Sequence, residues 1–352
     1  MSQSAYRASD PAISRDELQL AARNHGLPLE TLREPITPAG LHYLLIHFDI
    51  PAVDAPSHRL QIGGVVDRPL ELSLDDLRAR PRQTHAVTFE CAGNGRALLP
   101  DHEPSQPWLL EAVGTARWTG TPLAPLLEEA GLARNAHSIV FTGLDRGVQG
   151  GVEHDYERAL PLGEALQPDV LLAYEMNGEP LPPQHGHPLR LIVPGWYGMT
   201  HVKWLSRITA IEKEFDGWQQ AEAYRIDGTD VTRMLPRSLL VPPGIPEFMT
   251  RERFVDAGAV PLTGRAWSGY GEVTRVEIST DGGATWVDAD LDPPVDTHAW
   301  RGFHSTWEAR PGTYELCCRA TDSAGNTQPL TADWNPGGYC NNGVHRVPVT
   351  AR

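Results

Sequence analysis

The stretch Phe89-Glu90-Cys91-Ala92-Gly93-Asn94-Gly95-Arg96 decides how this chain is read. The residues before it, His85 to Phe89, have the composition of a short strand, and Gly93 and Gly95 bracket a loop that follows. The pattern presents Cys91 at a strand end, where a thiolate that must reach outward would sit. Two readings follow from the residues alone. Cys91 is inert packing, as buried cysteines commonly are, or it is a working thiolate. A cysteine protease belongs to the second reading, and the chain's 14 histidines supply partners at no diagnostic spacing.

Outward from this loop the chain divides into three. Residues 1–37 are polar and short of periodic apolar positions, with a helix expected around Glu17 to Arg23, and read as an arm lying on the surface. Residues 38–235 mix short strands, such as His85 to Phe89 and Ser138 to Phe141, with helical pieces such as Leu123 to Ala130, the texture of an α+β domain with long loops. From Asp227 to Arg251 runs a connector carrying Pro236, Pro242, Pro243 and Pro246, where no helix can continue. Residues 236–352 then read as an all-β immunoglobulin-like sandwich, with strands expected at Val260–Trp267, Val273–Ser279, Thr285–Ala289, Ser305–Glu308, Thr313–Ala320 and Val344–Val349. Thr280-Asp281-Gly282-Gly283 supplies the positive φ angles of a tight hairpin. Cys317 and Cys318 are adjacent in one strand and point to opposite faces, so the expectation is one in the core and one exposed.

Composition narrows the classes. The chain has 352 residues, 40% hydrophobic and 21% charged, with 31 Pro and 33 Gly, which excludes collagen and wholesale disorder. No apolar run approaches the roughly 20 residues of a membrane helix. Its 30 Lys+Arg against 45 Asp+Glu give a net charge of -15, which repels phosphate backbones, so no nucleic-acid partner is expected and any anion must find a local basic pocket. The start MSQSAYRASDPAISRDELQL has neither a secretory pattern nor a twin-arginine pair, and a cytoplasmic location is expected. Four cysteines with no C-x-x-C pair offer neither a disulfide framework nor a zinc site.

Several segments, taken jointly and in order, resemble the molybdenum-pterin domain of the sulfite oxidase family, which includes animal and plant sulfite oxidases and assimilatory nitrate reductase. They are FECAGNGR at 89–96, PWLLEAVGTARWTG at 107–120 and LLAYEMNGEPLPPQHGHPLRLIVPGWYGMTHVKWL at 171–205. RAWSGYGEVTRVEISTDGGATW at 265–286 and NNGVHRVPV at 341–349 resemble the same family's dimerisation domain. The resemblance covers about residues 38–226 and 260–349. It implies an oxygen-atom-transfer oxidoreductase with a molybdenum-molybdopterin cofactor, a small oxyanion substrate, an external electron acceptor (a cytochrome or dioxygen) and a homodimer. Trp300 and Phe303 are candidates for the dimer contact, or else core positions.

Carried onto this sequence, the resemblance makes Cys91 the protein thiolate on molybdenum and His47, His185, Arg190 and Lys203 cofactor contacts. It places Arg96, Trp108, Tyr224 and Arg346 around the substrate. Thr200 and His201 stand where animal enzymes carry an arginine and a polar residue. One departure bears on the substrate: Leu45 occupies the place of an arginine two residues before the cofactor histidine. A cation about 5 Å from a unit negative charge is worth roughly 3 kcal/mol at an effective dielectric near 20, so its loss weakens anion capture by about two orders of magnitude. Asn335-Pro336-Gly337-Gly338 is similar to the haem-binding turn of cytochrome b5, but an asparagine replaces the axial histidine and no haem is expected. The alternatives are reductive transfer to nitrate or a sulfoxide at the same centre, and a non-catalytic immunoglobulin-like binding protein.

Overall fold

A computed structural model of the chain describes residues 13–352, so the first twelve residues of the expected arm lie outside the described residues. The first helix, Arg15–Arg23, starts where Ser14 caps it: the Ser14 hydroxyl accepts from the Glu17 N–H and the Glu17 carboxylate accepts from the Ser14 N–H. The arm beyond it does not merely lie on the surface, as its polarity suggested. Leu27 and Leu32 are fully buried, and the strands of both domains hold the backbone around them. Arg265 donates to the carbonyls of Leu32 and Arg33 at 2.8 Å each, Trp300 Nε1 donates to Pro35 O at 2.9 Å, and Thr37 N donates to Thr115 O at 2.7 Å.

The first domain carries two five-stranded sheets and a small hairpin, Arg225–Ile226 with Thr229–Asp230. One orders its strands Leu70–Leu72, Leu60–Gly64, Leu205–Ile211, Ser138–Gln149 and Val152–Pro161; only the contact of Leu60–Gly64 with Leu205–Ile211 is parallel. Short helices Leu74–Arg78 and Ala124–Ala130 cover its apolar face through Leu74, Leu77, Leu126 and Leu127. The other sheet pairs Gln83–Glu90 with Val113–Pro122, then Leu171–Met176, which pairs with both Glu179–Pro180 and Arg190–Ile192. Gln83–Glu90 is the strand that delivers Cys91. Its free edge is taken by a loop of the second domain: Asp296 accepts from Ala86 N at 2.8 Å, and Thr88 N donates to His298 O at 2.9 Å.

The second domain is a sandwich of a four-stranded sheet (Arg237–Leu240, Gly258–Trp267, Arg301–Ala309, Asp290–Leu291) and a six-stranded sheet. The six run Ile245–Pro246, Arg253–Val255, His345–Ala351, Gly312–Asp322, Val273–Ser279, Val287–Asp288. Leu262, Phe303, Leu316, Cys318 and Val349 fill the space between the sheets. Gly282 and Gly283 have φ of 74° and 94°, as the hairpin after Val273–Ser279 requires. Two expectations are corrected and one open alternative is decided. Arg237–Leu240, inside the proline-rich connector, is a strand buried at all four positions; the prolines flank it, and burial on both faces removes the alternation that would have marked it. Trp300 and Phe303 are 0% and 1% exposed, because Trp300 packs beside Trp267 and Phe303 faces the sandwich interior, so neither supplies a dimer contact. Cys317 and Cys318 are both buried, Cys318 in the sandwich core and Cys317 beneath the Arg346 side chain.

The two domains meet at a buried ion pair. Arg237 Nη1 lies 2.5 Å from Glu90 Oε1, with the two side chains 2% and 1% exposed. Trp267 Nε1 donates to the other Glu90 oxygen at 2.8 Å, and Asn94 Nδ2 to the first at 3.1 Å. Breaking a buried pair by removing one partner strands the other charge. Glu90→Leu is expected to lower the unfolding free energy by about 4 kcal/mol in urea denaturation, and Glu90→Leu with Arg237→Met by markedly less, because no lone charge is left inside. Acid stability has a separate source in His345, which accepts from Leu240 N at 3.1 Å and is pushed down to about 3 by burial. Its unfolded form binds a proton below about 6.5 while the folded form does not, so stability falls as pH drops through that range, at about 1.4 kcal/mol per pH unit for this one group. His345→Asn keeps the acceptor, and urea titrations between pH 6.5 and 4.5 should show its acid slope shallower by about that amount.

Candidate active site

Cys91 follows directly on the Gln83–Glu90 strand, and its backbone is fixed on both sides. Cys91 N donates to Ala112 O and Asn94 N to Cys91 O, both at 2.9 Å. Asn94 braces the loop further, giving its side-chain N–H to Glu90 and Leu110 O and accepting from Ala112 N. Arg96 folds back over Gly93, where a Cβ would come within 2.6 Å of the guanidinium, so the glycine is needed for that close approach. Its Nε donates to Gly337 O at 2.8 Å, its Nη1 to Gln106 O at 3.1 Å, and the guanidinium stands 5.2 Å over the Tyr339 ring. The Asn335–Gly338 turn that imitates a haem motif is thus the dock for Arg96.

Cys91 lines a small cavity of about 50 Å³. His47, His185, Arg190, Lys203 and Tyr224 line it with Cys91, so six of the residues read from sequence meet in one place. Arg96 and Trp108 pack behind the Cys91 loop: burial raises the Cys91 thiol, while the Arg96 charge, the Gly93 N–H and the Trp108 indole favour its thiolate. Neither Arg96 nor Trp108 lines the cavity, contrary to their expected place around the substrate, nor does Arg346. The place of Arg346 on the outer face of the His345–Ala351 strand puts its guanidinium on the Glu315 carboxylate and 3.2 Å from Gly282 O. Strand alternation explains the miss, since His345 takes the inward direction and Arg346 the outward one.

The cavity is rich in cations and neutral imidazoles. Arg190 donates to His185 O at 2.9 Å and His201 O at 3.2 Å, and stands beside the stacked Phe89 and Trp118 rings, 5.2 and 4.7 Å from their centroids. Lys203 Nζ donates to Leu45 O at 2.7 Å; burial and the Arg190 charge lower its pKa, against the pull of Asp145. His47 Nε2 is 2.6 Å from the Tyr224 hydroxyl, and burial with the Lys203 and Arg158 charges pushes it down to about 3. Burial likewise pushes His42 to about 4 and His185 to about 2, so both are neutral near pH 7.

Several lining residues were not singled out from sequence. Tyr156 packs its ring 4.8 Å from His47 and donates to Met199 O at 2.7 Å, and Tyr43, His42 and Asp145 complete the wall. A burial alternation in Val152–Pro161 puts Tyr156 and Arg158 on one buried face, the signal that could have found them. A larger cleft between the domains, lined by Glu164, Arg233 and His298 among others, holds the Arg233–Glu164 and His298–Asp169 ion pairs and no thiol.

The donor set fits a large anionic group anchored through soft sulfur. His42 Nε2 and Arg190 Nε, both in the wall, are buried without a hydrogen-bond partner, which is what a buried acceptor-rich ligand would satisfy. A cysteine thiolate is the soft donor such a metal takes.

Comparison with known proteins agrees. Residues 47–219 match the oxidoreductase molybdopterin binding domain and residues 236–352 the Mo-co oxidoreductase dimerisation domain. The chain is 37% identical to mitochondrial sulfite oxidase of Mus musculus over 347 residues, 92% of this chain and 63% of that protein's length. It is 38% identical to sulfite oxidase of Gallus gallus, covering 91% and 74% respectively. The crystal structure of the sulfane dehydrogenase SoxCD from Paracoccus pantotrophus superposes with a TM-score of 0.80 at 26% identity, covering 98% of this chain and 92% of that one. A thiol on a braced loop, a cation-lined cavity and two matched domains in order leave one assignment: the chain belongs to the sulfite oxidase family of molybdenum-molybdopterin oxidoreductases.

Proposed function

We propose that the chain oxidises sulfite to sulfate, with water as the oxygen source, releasing two protons and passing two electrons to an external acceptor, a cytochrome or dioxygen. The observation that carries this reading is the pairing of one wall thiol, Cys91, with Arg190 and Lys203 across the same cavity: soft ligation at one end and anion binding at the other. Bound there, the molybdenum-molybdopterin group supplies two-electron oxygen-atom transfer.

Each residue has a defined part. Cys91 ligates the metal, and the Arg96 charge behind it offsets the cost of a buried thiolate. Arg190 keeps its Nε free for an anionic oxygen while its terminal nitrogens are spent on His185 O and His201 O. Lys203 is aimed by Leu45 O, and His185 and His47 bind as neutral imidazoles, adding hydrogen bonds without further charge. The hydrogen bond between Tyr224 and the neutral His47 fixes both side chains at the cavity wall.

Residues 236–352, which match the dimerisation domain, are read as the homodimer contact, with Trp300 and Phe303 excluded from it by their burial. Among the described residues no helix is long and apolar enough to cross a membrane.

Cys91→Ser should abolish sulfite turnover while circular dichroism and thermal unfolding stay those of the parent; substantial turnover in that variant would sink the assignment. A steady-state screen of sulfite with ferricyanide, and of nitrate and sulfoxides with a reduced dye, should find sulfite preferred by at least tenfold in kcat/KM. Preference for nitrate or a sulfoxide would replace the oxidative reading with the reductive one, and protein from a cofactor-competent host that carries no molybdenum would replace both with a binding role.

A further inference from the structure

One charge is missing from the site and another is unexplained. Leu45 lines the cavity where the resemblance expects an arginine, and its side chain offers nothing to an anion. Arg158, on the Val152–Pro161 strand two residues after Tyr156, shares the buried face of that strand and is 2% exposed. Its guanidinium stands 5.6 Å from the centroid of the Tyr224 ring, whose hydroxyl meets His47 Nε2.

Among the described residues no carboxylate forms a salt bridge with it. Nη1 donates to Gln219 O and Nε has no partner. The groups facing it are Tyr156, Tyr224, Asp230 and Tyr339; Asp230 is the one carboxylate among them, and it pairs with Arg225 at 3.6 Å. An arginine stays protonated even when burial disfavours its charge, so the fold carries a full positive charge against one wall of the cavity.

We propose that Arg158 supplies the positive field that draws the oxyanion into this cavity, acting through the Tyr224 ring and hydroxyl in place of an arginine at position 45. This rests on the oxyanion reading above. Arg158 is a positioning residue: Tyr224 and His47 line the cavity, and the guanidinium lies behind them.

The test uses cofactor-loaded protein, with Arg158→Gln, which keeps a donor for Gln219 O and removes the charge, and Arg158→Lys, which keeps the charge. KM and kcat for sulfite are measured beside calorimetric binding of inorganic sulfate and molybdenum content. Arg158→Gln should raise KM and weaken sulfate binding by on the order of thirtyfold, with kcat and molybdenum content within about twofold of the parent. Arg158→Lys should recover most of the loss, and adding Leu45→Arg to Arg158→Gln should recover it from the other side. Should the parent bind sulfate but fail to oxidise sulfite, a weakened Arg158→Gln still supports the inference while the proposed reaction falls. Sulfate binding and KM unchanged in Arg158→Gln, or molybdenum and kcat lost with KM intact, would overturn it in favour of a purely structural clamp on Gln219.

Discussion

The Glu90–Arg237 ion pair is the constraint on which the rest depends. Trp267 and the Asn94 amide complete the Glu90 carboxylate, and the Asn94 carbonyl also takes Arg237 Nη1. Arg237 Nε and Nη2 are left without partners, so the pair is held chiefly from the carboxylate side. The cysteine comes one residue after Glu90, so the angle at which the strand delivers its thiol is set by a residue of the second domain. The two domains therefore share one site rather than standing side by side. Arg96 repeats the theme, since its guanidinium is gripped by the Gly337 carbonyl and faced by Tyr339.

The cavity's electrostatics run against those of the whole chain. A molecule of net charge -15 gathers Arg190, Lys203 and Arg158 around one space and keeps the accompanying histidines neutral by burial. Burial is the main cause of the imidazoles' neutrality, and the neighbouring arginine and lysine charges add to it. The contact of Arg190 with the Phe89 and Trp118 rings shows how the fold tolerates the concentration: aromatic groups stand where a carboxylate would cancel the charge an anionic ligand needs. Asp145 is the one acid in the wall, and its burial raises its pKa.

Much of this was legible in the residues because local chemistry wrote it there. The glycine-bracketed loop around Cys91, the His185–Lys203 segment and the TDGG hairpin are short-range signals, and each sits where its sequence implied. The misreadings share a cause in long-range contact. Arg237–Leu240 hides among prolines because a strand buried on both faces has no alternation. The arm reads as surface because its hydrogen bonds are backbone carbonyls offered to Arg265 and Trp300, more than two hundred residues away. Arg346 was placed by motif, while strand parity turned it outward; Tyr156 and Arg158 lie in a segment with no motif at all.

Asn341 donates its side-chain amide to Gly95 O at 2.7 Å, across 246 residues of sequence. A ribosome releasing this chain from its N-terminus thus completes the first domain's strands long before the partners of its cysteine loop exist. During that interval the loop has its glycines and its thiol but not Arg237, Gly337 or Asn341 to define it. The loop takes its final shape only when the last strands are in place, so the C-terminal domain is part of the mould that sets the thiol.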